Sequence, residues 1–90
     1  MSAQVFEPSV SLTFAKVESD RKRLFKCVQA SDVTRLRLNL SQVKHCDSAG
    51  LALLIEAKRL CKHYNKSFEI EGMPKVIHEL AEFCGVDTIL

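Results

Sequence analysis

Apolar and polar positions along this chain change period several times, and each change marks an element. Val10, Leu12 and Phe14 alternate with Ser9, Ser11 and Thr13, which predicts a strand with one buried face. A helix fits Asp20 to Ala30: Leu24, Phe25 and Val28 share a face, Lys22, Arg23 and Lys26 remain wet, and Ser19 or Asp20 serves as the cap. Period two returns from Arg35 to Leu40, and a second helix opens near Ser48 with no breaker before Asn65. Phe68 to Glu71 reads as a further short strand. Pro74 suits the first turn of a third helix whose core face is Val76, Ile77, Leu80, Ala81 and Phe83, with Gly85 as a left-handed cap.

Strands alternating with helices predict a small α/β domain with at least one parallel crossover, a mixed sheet of about four strands with helices packed against it. Residues 1–9 read as a loosely held arm and residues 10–90 as the folded domain. Ninety residues bury a thin core, so a partner can add needed stability. The net charge of +2 comes from interleaved signs, which argues against nucleic acid as a partner. No apolar run approaches the ~20 residues that cross a bilayer, and the N-terminal stretch lacks the pattern of a leader, so a cytoplasmic protein without direct membrane insertion is expected. Cys27, Cys46, Cys61 and Cys84 are widely spaced, which suits reduced, mostly buried thiols.

The most informative stretch is Cys46-Asp47-Ser48-Ala49-Gly50-Leu51, where strand hands over to helix. A helix N-terminus offers free N–H groups and the positive end of the dipole, which favour oxygen and negative charge. At about 100° per residue, Leu53, Leu54, Ala57, Leu60, Cys61 and Tyr64 form the core stripe of this helix, whereas Leu51 and Ile55 fall opposite, near Ser48, Lys58 and Lys62. Exposed, these two would form a docking surface with Ser48; the alternative is that a neighbouring loop covers them.

Enzymatic readings find little support. Asp47 has no second carboxylate to work with and is expected to order its loop. Ser48 lacks a nucleophile-elbow setting. His45, Cys46 and Asp47 are adjacent and point to alternate sides, which does not suit a metal ion. The glycines Gly50, Gly72 and Gly85 are too far apart for a phosphate loop. Lys58, Arg59, Lys62 and His63 suit either an acidic partner or the solvated side of a helix.

Leu38 to Val43, Cys46 to Leu54, and Phe68 to Gly72 followed by Val76, Leu80 and Phe83 to Val86 together resemble the STAS domain family. The family includes anti-sigma-factor antagonists and the small cytosolic STAS subunits of phospholipid-transport ABC complexes, and Gly50 to Leu54 with Val86 to Leu90 is most similar to the latter. The resemblance implies a non-enzymatic module without cofactor. Its partner would be the ABC ATPase subunit of a complex maintaining lipid asymmetry, which would hold the chain peripheral to the inner membrane. Its alternative is an anti-sigma factor and serine kinase, with Ser48 as the phosphorylation site and phosphate as an off switch. The candidate partner-binding residues are Asp47, Ser48, Ala49, Gly50, Leu51, Ile55 and Lys58. Ala49 departs from a usual Gly or Ser, and Lys16-Val17 stands where Gly-x-Leu commonly follows the first strand.

Overall fold

The computed structural model describes residues 2–90. Five strands and three helices follow in the order β1 (Ser2–Phe6), β2 (Ser11–Leu12), α1 (Val17–Gln29), β3 (Val33–Asn39), β4 (His45–Cys46), α2 (Ser48–His63), β5 (Ser67–Glu71) and α3 (Lys75–Cys84). β3 is the centre of a sheet ordered β1-β3-β5, and β2 pairs with β4 in a separate two-stranded ladder. The strand number therefore exceeds the expected four, and every pairing among the described residues is parallel. Parallel neighbours require crossovers, which α1 and α2 supply.

Leu36 and Leu38 of β3, with Leu40 just beyond it, are fully buried, as their alternation predicts. They meet Leu24 and Val28 of α1, Leu53, Leu54, Ala57 and Cys61 of α2, and Ile77 and Ala81 of α3 in one core. Arg37 lies on the other side of the sheet, ion-paired to Glu69 at 3.3 Å and Glu71 at 3.9 Å. The result is a two-layer domain with helices on one sheet face.

Four expectations are corrected at the N-terminal end and in α3. The stretch expected as a loose arm carries β1, which pairs with β3 from Ser2 to Phe6, while Met1 lies outside the described residues. An edge strand with one strongly buried side chain, Phe6, has no periodic signal; its register comes from the backbone of β3. The strand expected to reach Phe14 stops at Leu12, because the Thr13 carbonyl turns to accept from the N–H groups of Lys16 and Val17, each at 2.8 Å. That turn starts α1 at Val17, earlier than Asp20, and leaves neither Ser19 nor Asp20 as its cap. In α3, Ile77 and Ala81 are buried, but Val76 is exposed and Phe83 is 90% exposed. A core this thin takes only a narrow stripe of the helix.

Asp20 is fully buried instead of capping. Its Oδ1 accepts from the Ser9 hydroxyl at 3.0 Å and the Ser9 N–H at 3.2 Å, and pairs with Arg23 at 3.1 Å. Arg23 in turn donates to the Glu7 carbonyl at 3.1 Å and lies 4.8 Å from the centre of the Phe6 ring. This clasp ties the β1–β2 connection to the first turn of α1, where acidic charge is also favoured by the helix dipole. Asp20→Ala removes the shared acceptor of the Ser9 N–H, the Ser9 hydroxyl and Arg23 and leaves a gap in the packing, and is expected to cost about 2–3 kcal/mol, read as a fall in Tm of about 10 °C or more by thermal denaturation.

Candidate functional site

The site begins with a carboxylate at the junction of β4 and α2. Asp47 has extended backbone, φ −114° and ψ −173°, and is the N-cap of α2. Its Oδ1 accepts from the Gly50 N–H at 3.0 Å, and its Oδ2 accepts from the Phe14 N–H at 2.9 Å. Its own N–H donates to the Leu12 carbonyl at 3.1 Å, and its carbonyl accepts from the Leu51 N–H at 3.0 Å. The Phe14 N–H above all, and the Gly50 N–H next, hold the carboxyl below its ordinary value of 3.8. With both oxygens committed, Asp47 braces two segments, as expected from the sequence, and is poorly disposed to transfer a proton.

Gly50 lets the helix start sit directly on β2. A Cβ there would lie 2.0 Å from the Leu12 carbonyl oxygen, a separation no side chain tolerates. Gly50 thus belongs to the seating of α2 and is buried beneath the surface. Ser48 is the first helical residue and is exposed, and its hydroxyl makes no hydrogen bond among the described residues. Ala49 beside it is half-buried.

Leu51 was expected to be exposed and is 3% exposed, a correction to the helical arithmetic. It lies within about 20° of Lys58 around α2, and the Lys58 ammonium donates to the Ile89 carbonyl of the C-terminal segment. That segment, with Val86 and Leu90 packed on the core, comes across this side of the helix. Ile55, further round, is half-buried and remains at the edge of the surface. Lys58 is likewise half-buried and turned to the C-terminal segment instead of outward.

Sequence reasoning missed two residues. The period-two pattern puts Phe14 on the core face of a strand, yet it is 81% exposed, and its backbone N–H is bound to Asp47. Ala52 is exposed one turn after Ser48. Only a signal for the turn at Thr13 would have released Phe14 from the strand pattern, and a hydroxyl-bearing residue followed by Phe-Ala gives a weak one. Phe14 is thus tied through its backbone to the Asp47 brace, and Ser48, Ala52 and Ile55 share one face of the helix that the brace caps.

Nucleophilic or metal chemistry is poorly served nearby. Burial, and then the Asp47 charge, push the Cys46 thiol up to about 11, so it stays protonated at neutral pH. Its Sγ donates to the Asp47 carbonyl at 3.4 Å. Among the described residues, no three His, Cys, Asp or Glu side chains gather as a metal site. No described helix is long and apolar enough to cross a membrane.

Two measurements test this construction. Because the folded Asp47 carboxyl titrates below its unfolded value, its stabilisation is present above about pH 4 and is lost as pH falls through the folded value. Tm of the wild type should therefore drop more steeply below pH 4 than Tm of Asp47→Asn, which is less stable at neutral pH and has no carboxyl to titrate there. Gly50→Ala should lower stability by about 3 kcal/mol or more in chemical denaturation, since the obstacle is backbone.

A family model described as "Mlab, STAS domain" matches residues 9–90. The intermembrane phospholipid transport system binding protein MlaB of Haemophilus influenzae is 33% identical over 66 residues, which is 73% of this chain and 63% of that protein. The match thus spans less than two thirds of the relative's length. A parallel α/β core, an Asp-Ser junction opening α2, and a family match over nearly the whole chain lead to one assignment: the chain belongs to the STAS domain family.

Proposed function

We propose that this chain is a non-enzymatic docking subunit of a phospholipid-transport ABC system, bound to its ATPase subunit through the surface around Ser48. The observation that carries the reading is an unengaged Ser48 hydroxyl at the start of α2 together with an exposed Phe14, whose backbone N–H is held by the same Asp47 carboxylate that caps α2 through the Gly50 N–H. A rigid aromatic beside a small polar residue and an exposed Ala52 makes a compact contact patch; aromatic residues of this kind are common anchors of protein interfaces. The relative's name, a binding protein of an intermembrane phospholipid transport system, supplies the class of system. On this reading the chain sits in the cytoplasm against the inner membrane through its partner and supports the arrangement in which the ATPase works.

The sigma-factor alternative has no comparable support, since the matching family description names Mlab and the relative's name is that of a phospholipid transport system protein. A phosphate on Ser48 would gain from the dipole of α2 but would stand beside the Asp47 carboxylate and charge an apolar patch. Phosphorylation there would act against docking.

Ser48→Glu and Phe14→Ala should each abolish or sharply reduce copurification with an ABC ATPase encoded in the same genome, with unchanged circular dichroism. A large exposed aromatic anchor is worth about 2 kcal/mol or more in such an interface, so Phe14→Ala should weaken binding roughly thirtyfold in a titration. Full binding by both variants would refute this surface. A charged residue at Leu51 would be uninformative, because that side chain is in the core.

A further inference from the structure

The exposed side of α2 continues well past the docking patch. Ser48, Ala52, Ile55, Arg59 and Lys62 recur at intervals of four, three, four and three, so they form one stripe about 21 Å long. Its first half is small or apolar and its second half is basic. The second half is a ridge between two open grooves of about 770 and 560 Å³, and Arg59 and Lys62 line both.

The charges of those grooves are one-sided. Arg21, Lys58, Arg59, Lys62 and Lys66 line them against the single carboxylate of Glu56. The whole chain carries only +2, so the remainder is net negative. Three of these cations are already committed. Arg21 pairs with Glu56 at 2.9 Å, Lys58 donates to the Ile89 carbonyl, and Lys66 donates to the Ala30 carbonyl. Arg59 and Lys62 are exposed, lie one turn apart, and have no acidic partner among the described residues. Like charges at this spacing repel slightly, a cost that an acidic surface would reverse.

The basic half also has apolar walls. Phe25 and Leu60 line one groove, Phe68 and Ile89 the other. Concave, partly apolar walls beside a basic ridge suit protein side chains that combine carboxylates with hydrocarbon better than they suit a flat lipid surface.

We infer that the partner's docking face is divided like the stripe: apolar where it meets Phe14, Ser48, Ala52 and Ile55, and acidic where it meets Arg59 and Lys62. The inference rests on the docking reading above and adds the chemistry of the partner. The apolar half holds the complex together, and the basic half steers encounter and fixes the direction in which α2 lies on the partner.

The test measures association of the ABC ATPase subunit from the same genome with immobilised wild-type chain, R59E/K62E and S48K, each checked for unchanged circular dichroism. Runs at about 50 mM and about 500 mM salt separate long-range attraction from contact. The inference predicts that R59E/K62E slows association about tenfold or more at low salt, that the difference largely closes at high salt, and that S48K abolishes binding at both. Wild-type association rates for R59E/K62E with binding lost for S48K would overturn the acidic face and leave the docking reading standing. Wild-type behaviour of both variants, or no binding by the wild type, would overturn both. Vesicles of phosphatidylglycerol and phosphatidylcholine form a second arm. Loss of vesicle binding by R59E/K62E with ATPase association unchanged would assign the ridge to lipid and overturn the inference.

Discussion

One carboxylate holds together two segments that are far apart in the chain. Asp47 accepts from the N–H of Phe14 on the β2–α1 turn and from the N–H of Gly50 in the first turn of α2. Without it, the turn bearing Phe14 would lose its anchor and α2 would begin with an uncapped turn. The backbone bonds of Asp47 to Leu12 and Leu51 extend the same junction into β2 and the helix. The position of Ser48 therefore depends on a network of charge-assisted and main-chain bonds around its neighbour, and its own hydroxyl is left unengaged among the described residues.

That network needs a flat seat, and Gly50 supplies it by letting α2 rest on the Leu12 carbonyl. The C-terminal segment is tied to another side of α2, where Lys58 holds the Ile89 carbonyl. At the far edge, the Asp20–Arg23 clasp keeps the β1–β2 connection against α1. Each of these contacts commits a polar group, or the absence of a side chain, to holding shape beneath the surface, and a surface held in shape beforehand loses little conformational freedom on binding.

The sequence made the elements with strong periodicity legible. Leu36, Leu38 and Leu40 define β3, the Leu53 to Cys61 stripe defines α2, and Gly85, at φ 73°, ends α3 as a left-handed cap. The Asp47-Ser48 junction was legible too, because acid and hydroxyl at a strand-to-helix change have few local uses. What was not legible came from long-range contacts. β1 depends on pairing with β3, Phe14 is released by a turn whose signal is weak, and Leu51 is buried by tertiary packing that helical arithmetic on α2 alone does not include. Phe83 shows the converse, since its apolar character predicts burial that a two-layer core of this size does not provide.

The most direct measurement is a map of backbone amide shifts by NMR, made by titrating isotope-labelled chain with the ABC ATPase subunit. The account predicts that the largest changes fall on Phe14, Ser48, Ala52 and Ile55, with α3 and the outer sheet face little affected. Changes centred on Val76 and Phe83 of α3, or on Arg37 and Glu69 of the sheet, with the Asp47 junction unmoved, would contradict it.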